Sequence, residues 1–206
     1  MNSFNRLIEL FGKFPGIGPR QARRFVYFLL VQNSSYIDEF ISLLKSLKQE
    51  VSICPSCKRF FVGKHAAAAL CSLCGAANRT RKELMVVEKD VDVDAIEKSG
   101  TYDGLYFVFG GTIAILEKDP EERARLKDLE KTVAERIKKD SLSELILALS
   151  ATLDGEHTAD YLSEKFKPLA QTHNFKITTL GRGLSTGTEL EYSDAETIKN
   201  ALKNRA

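Results

Sequence analysis

Four cysteines, spaced Cys54-x-x-Cys57 and Cys71-x-x-Cys74, constrain this chain more than any other feature. A Cys-x-x-Cys pair bends back and offers two thiolates to one ion. Two such pairs, thirteen residues apart, supply the four soft ligands of a closed tetrahedral zinc site. Four thiolates leave no open coordination position, so the expected zinc is structural rather than catalytic. Disulfides are the alternative, but they belong to oxidising compartments. The stretch Met1 to Leu10 lacks the long apolar core and small-residue cleavage site of a signal peptide. No run of about eighteen apolar residues provides a membrane span. The expectation is a cytoplasmic protein without membrane contact, with His65, between the pairs, facing solvent rather than competing as a ligand.

The cysteines also sit where the charge changes sign. Residues 1–83 carry thirteen Lys and Arg against five Asp and Glu, and residues 84–206 carry seventeen against twenty-three. The formal +2 of the chain therefore combines a basic part at +8 with an acidic part at −6. Basic surface next to a metal knuckle points to nucleic acid, and acidic surface to a cation or a basic partner.

Periodicity divides the chain further. Phe4, Leu7, Ile8 and Phe11 form one helical face, and Pro19 opens a second helix with Ala22, Phe25, Val26 and Leu29 on its apolar side. Ser35 announces a third helix, carrying Ile37, Phe40, Ile41, Leu44 and Leu47. Beyond Lys82, apolar runs alternate with helical patterns: strands at 84–87, 105–109, 145–149 and 176–180, with helices at 90–99, from Asp119-Pro120 onward, and at 156–166. That alternation predicts an α/β fold with a mainly parallel, Rossmann-like sheet covered by helices on both faces. Thr188 to Tyr192 reads as an added strand, and Ser193 with Glu196 as the cap of a last helix.

Pro15-Gly16-Ile17-Gly18 resembles the hairpin of a helix-hairpin-helix DNA-binding motif. Gly16 and Gly18 permit a tight turn, and the helix start beyond it offers free N–H groups and partial positive charge to a phosphate. Arg20, Arg23 and Arg24 add guanidinium groups suited to phosphate geometry. In the acidic part, Glu88 directly follows the first strand, Asp90, Asp92 and Asp94 come next, and Asp154-Gly155-Glu156 follows the third. Sites in open parallel sheets form outside the carboxyl ends of strands, so these groups are placed to converge. The pattern resembles the Toprim domain, in which carboxylates hold magnesium. Here the second motif is Asp-x-Glu, and no nucleophile stands beside it.

The order hairpin, four-cysteine knuckle, Toprim-like sheet resembles the RecR family of bacterial recombination mediators over nearly the whole chain. The likeness includes Phe14 to Phe28, the cysteine pairs, Val86-Val87-Glu88 with Asp92, Ala95, Ile96 and Glu97, Thr152 to Ala159, Arg182-Gly183-Leu184 and Glu189 to Tyr192. It implies a non-enzymatic factor of DNA repair that helps load RecA on single-stranded DNA, working with RecO or RecF. It also implies self-assembly from dimers to tetrameric rings, at the nucleoid. By position, Arg20 and Arg24 would face DNA, and Glu88, Asp92, Asp154 and Glu156 would meet RecO. The implied divisions are 1–53 (helix-hairpin-helix), 54–83 (zinc finger), 84–180 (Toprim) and 181–206, a strand-helix segment serving assembly. Three departures stand out: the long spacer Lys58 to Leu70 with Ala66 to Ala69, the absence of a glycine-rich loop after Gly110-Gly111, and Ser150-Ala151 in place of Asn-Pro. The competing reading is a magnesium-dependent Toprim nuclease.

Overall fold

The computed structural model describes residues 2–63, 70–117, 119–122, 124–181, 183–184, 187 and 189–203. His65 and the alanine run 66–69, Arg182 and Thr188 lie outside them. The chain forms two compact units, Met1–Ser52 and Ile53–Ala206.

The first unit contains α1 (Ser3–Phe11), α2 (Pro19–Leu30) and α3 (Ser34–Glu50). Asn2 caps α1 by accepting from the Asn5 amide at 3.0 Å. Asn33, not the expected Ser35, caps α3 through the Tyr36 amide at 2.8 Å. Asparagine fits this position because its side-chain oxygen satisfies an amide that the helix itself leaves unpaired. Ala22 and Val26 of α2 are fully buried, and edge-on ring pairs Phe4–Tyr27 and Phe11–Phe25 join α1 to α2. Neither α1 nor α3 buries a single residue, however, and Leu43, Leu44 and Leu47 stand exposed.

In the second unit, short strands β1 (Val51–Ile53, which straddles the division) and β2 (Phe60–Val62) precede the one-turn helix α4 (Ser72–Gly75). The body consists of β3 (Glu83–Val87), α5 (Asp90–Ser99), β4 (Leu105–Val108), α6 (Ala124–Asp140), β5 (Glu144–Ala148), α7 (Leu153–His173) and β6 (Lys176–Thr179), followed by α8 (Ala195–Lys203). The sheet order is β4-β3-β5-β6 and every pairing is parallel, with Leu84 level with Leu105 and Leu145. Side chains alternate across the pleat. Leu84, Val86, Leu105, Phe107, Leu145 and Leu147 pack against α6 and α7 on one face. Met85, Val87, Tyr106 and Val108 pack against Val93 and Ile96 of α5 and Leu73 of α4 on the other.

Several boundaries differ from expectation. A 3-10 turn, Pro120–Glu122, occupies the place where the charged helix was expected to begin. Helix α7 starts at Leu153, three residues early, because Thr152 caps it through the Gly155 amide. Leu190–Tyr192 is a 3-10 turn rather than a strand, and Asp194, not Ser193, caps α8 by accepting from the Thr197 amide at 2.9 Å.

Leu145 is fully buried in an interior strand. Leu145→Ala is expected to cost about 2–5 kcal/mol of stability in urea denaturation. A loss below about 1 kcal/mol would contradict its place in the core.

Candidate metal centre and binding faces

The knuckle brings Cys54, Cys57, Cys71 and Cys74 together, each 2 % exposed or less. Their sulfurs lie within 4.8 Å of one another, with Cys57 Sγ and Cys71 Sγ 3.6 Å apart. A tetrahedron with metal–sulfur bonds of about 2.3 Å has edges of about 3.8 Å, so this donor set fits a thiolate-bound ion such as zinc. Four buried thiols so close cannot all ionise alone: Cys54 is driven down, first by its hydrogen bond with Cys57, while the same bond drives Cys57 up. A divalent cation removes that conflict.

Local backbone builds this cage. Lys58 turns into the left-handed region (φ 61°), the Cys54 amide donates to the Arg59 carbonyl, and the Cys71 amide points at Cys54 Sγ at 3.5 Å. The knuckle is then bolted to the parallel-sheet body. The Val108 amide donates to the Cys57 carbonyl at 2.8 Å, and Asp90 accepts from the Phe60 amide. Lys58 pairs with Asp128, Arg59 with Asp94, and Arg136 donates to Ser56.

In the first unit, Gly16 has φ +75°, a conformation that disfavours any side chain, and the Ile17 amide closes the turn on the Phe14 carbonyl. Gly18 caps α2 in ordinary extended geometry, so backbone strain gives no reason for glycine there. Pro19 has no amide proton, which leaves Arg20 and Gln21 as the first donors of α2. Arg20, Arg23 and Arg24 are all exposed. Among the described residues none of the three forms an ion pair with a carboxylate, and Arg24 makes one long hydrogen bond to Gln21 (3.4 Å).

The acidic residues gather at one end of the sheet without closing on one point. Glu88 sits directly after β3, Asp92 in the first turn of α5, and Asp154 and Glu156 in the first turn of α7 beyond β5. Among the described residues, the cysteines are the only group of three or more Cys, His, Asp or Glu ligand atoms within 4.8 Å of one another. These carboxylates share the sheet end, and among the described residues no three of them bring ligand atoms within 4.8 Å of one another. Asp92 is occupied in capping α5, accepting from the Lys89 amide at 2.7 Å. Asp154 accepts from the Ile115 amide at 3.3 Å. Glu156 lines a cavity of about 410 Å³ with Ala151, Gly181, Gly183, Asp194 and Thr197.

Glu88 is 8 % exposed and pairs with Lys89 at 2.8 Å. Burial is the largest influence on its pKa and works to raise it. Hydrogen bonds from Lys89 and Ser150 together outweigh burial and hold the carboxyl below its ordinary value. Backbone groups of neighbouring loops, with Arg125, complete the setting. Gly110 and Gly111 both donate to the Glu88 carbonyl at 2.9 Å, and Arg125, lying against Gly110, donates to the Val108 carbonyl. A Cβ on Gly155 would overlap the Ser150 carbonyl oxygen, so α7 can approach this loop only with glycine there. The Gly110-Gly111 pair, with φ of +89° and +127°, was the one sequence signal for this loop.

Family models for the RecR helix-hairpin-helix, the Toprim domain and the RecR C-terminal region match residues 4–47, 82–181 and 183–206. Proteins named Recombination protein RecR align over almost their whole length. The one from Lactobacillus acidophilus is 34 % identical over 97 % of this chain and 94 % of its own. That from Lactococcus lactis is 36 % identical over the same shares, and that from Staphylococcus aureus 37 % over 98 % and 95 %. The chain belongs to the RecR family. RecR membership supports a role in DNA recombination and repair, and among the described residues no helix is long and apolar enough to cross a membrane.

A carboxyl with a depressed folded pKa adds stability that is complete above its unfolded value, about 4.3, and is lost as pH falls through the folded value. The thermal-melting deficit of Glu88→Gln is therefore expected to be largest at neutral pH and to shrink on acidification below about pH 4. A deficit independent of pH would contradict an ionised, hydrogen-bonded Glu88.

Proposed function

We propose that this chain is a non-catalytic recombination mediator that holds DNA with its first unit and a basic repair protein with the acidic end of its sheet. The observation that carries the reading is the exposure of Arg20, Arg23 and Arg24 beside the Gly16 turn, none ion-paired with a described carboxylate, while the acidic excess lies beyond residue 83. Arginines at a helix start bind backbone phosphate and read little sequence. The carboxylates support partner binding over catalysis: magnesium chemistry needs them fixed around one ion, whereas Asp92 caps a helix and Asp154 holds a loop.

From the family likeness, the proposed partners are RecO at the Glu88, Asp92, Asp154 and Glu156 face, RecF alongside it, and RecA as the protein loaded on single-stranded DNA, all at the cytoplasmic nucleoid. The proposed divisions are 1–53 for DNA, 54–83 for zinc, 84–180 for the Toprim body and 181–206 for assembly. Self-association into dimers and tetrameric rings is supported by α3, a 17-residue helix with no fully buried residue in the isolated chain. Exposed apolar faces of that kind mark interfaces.

The test is DNA binding against salt. Arg20→Ala with Arg24→Ala is expected to remove two phosphate contacts and lower the slope of log K against log salt by about 1.8 on duplex DNA, with the fold intact and labelled DNA uncut in magnesium. Parental affinity in the double variant would exclude the hairpin as the DNA site. Cleavage that vanishes in Glu88→Gln would establish the nuclease reading instead.

The proposed metal is zinc, one per chain. Binding of this type stabilises finger peptides by about 10–16 kcal/mol, so Cys57→Ser is expected to lose the metal and leave the knuckle segment unfolded. Elemental analysis of fresh protein showing well under one zinc per chain would exclude it.

A further inference from the structure

The loop after β4 is rigid in its stem and apolar at its tip. Gly110 and Gly111 donate to the Glu88 carbonyl, and the Ile113 amide donates to Thr158 Oγ1 at 2.8 Å. The Ile115 amide donates to Asp154, and the Glu117 amide closes a turn on Ala114. Ile113 and Thr158 are fully buried, so the stem is part of the core. Two residues further on, Ile115 is 52 % and Leu116 90 % exposed. Leu153, next in the chain to the Asp154 that holds Ile115, is 75 % exposed. Solvated loop tips are ordinarily polar and mobile. A leucine presented on a stem pinned by four hydrogen bonds has its ordering cost met before anything binds.

The surroundings of this knob are acidic. Asp154 and Glu117 flank it, and Glu88 lies under the loop stem. Among the described residues, Lys89 is paired with Glu88 and Arg125 donates to the Val108 carbonyl. An apolar anchor rimmed by negative charge fits a helix with leucine-sized side chains along one face and lysine or arginine beside them.

We propose that Ile115, Leu116 and Leu153 form the apolar anchor of the acidic docking face, and that its occupant is a basic amphipathic helix of a partner protein. This rests on the reading that the acidic sheet end meets a protein; it adds that contact is anchored by burial, with charge supplying approach and register.

The test uses two labelled synthetic helical peptides of equal positive charge, one with leucines along one face and one with serines there. The intact protein is compared with Ile115→Ser/Leu116→Ser, with Glu88→Lys, and with Val62→Ser, an exposed valine on β2. Zinc content and melting temperature report folding. The leucine peptide is expected to bind the parent and the Val62 variant alike and to lose about ten- to hundredfold with the double-serine variant, the loss for a buried leucine-sized side chain. The serine peptide is expected to bind weakly to all. Equal affinity of the two peptides, or unchanged binding of the leucine peptide to the double-serine variant, overturns the proposal.

A parallel titration uses the RecO homologue of the same genome. Weakening by both Glu88→Lys and the double-serine change supports the docking face and its anchor together. Weakening by Glu88→Lys alone keeps the partner reading and overturns the anchor. Peptide binding that depends on Leu116 while RecO ignores both variants keeps the anchor and removes RecO as its partner. A smaller assembly mass in the double-serine variant makes the occupant a second copy of this chain and overturns the proposal.

Discussion

Four sulfurs in one enclosed space are the constraint on which the second unit turns. Four buried thiols this close cannot all ionise unaided, and a bound cation would frame them into one corner. The corner then fixes more than itself. The Cys57 carbonyl takes a hydrogen bond from Val108 at the end of edge strand β4, and Asp90 of α5 holds Phe60. Arg59 reaches Asp94 on the same helix, while Lys58 reaches Asp128 on α6. A knuckle of about twenty residues cannot bury enough apolar surface to fold alone. Here four buried cysteines in one cluster and these polar ties stand in for the missing core, and a bound ion would complete it. They also cover one end of a strand edge that would otherwise be open to pairing.

The same ties place the acidic end of the sheet. Burial disfavours the charge on Glu88, and Lys89 and Ser150 restore it. The Ser150 carbonyl in turn requires glycine at 155, which lets α7 start close against the loop. Asp154 leaves that helix start to hold Ile115. Glu88, Asp92 and Asp154 thus each make hydrogen bonds within this end of the sheet. What remains at the surface is an exposed apolar loop tip held beside Asp154, suited to recognition.

Much of this was legible in the chain. The continuous apolar runs of β3 and β4 mark strands buried on both faces, and the cysteine spacing, the Gly16 turn and the charge division are all local signals. The misses were non-local or competitive. Asn33 and Ser35 both suit a cap, and the choice depended on where the chain leaves α2. Thr152 extended α7 beyond its visible periodicity. The duty of Asp154 depends on an amide thirty-nine residues away, and that of Ser150 on Glu88, so no motif could show either.

The division of labour between the two charged parts is the central claim, and hydrogen exchange of the intact protein tests it most directly. Single-stranded DNA should slow exchange over residues 14–24 and leave 110–117 and 153–156 unchanged. A basic partner protein should do the converse. Protection of 110–117 by DNA alone, or of the 14–24 turn by the partner alone, would contradict the account.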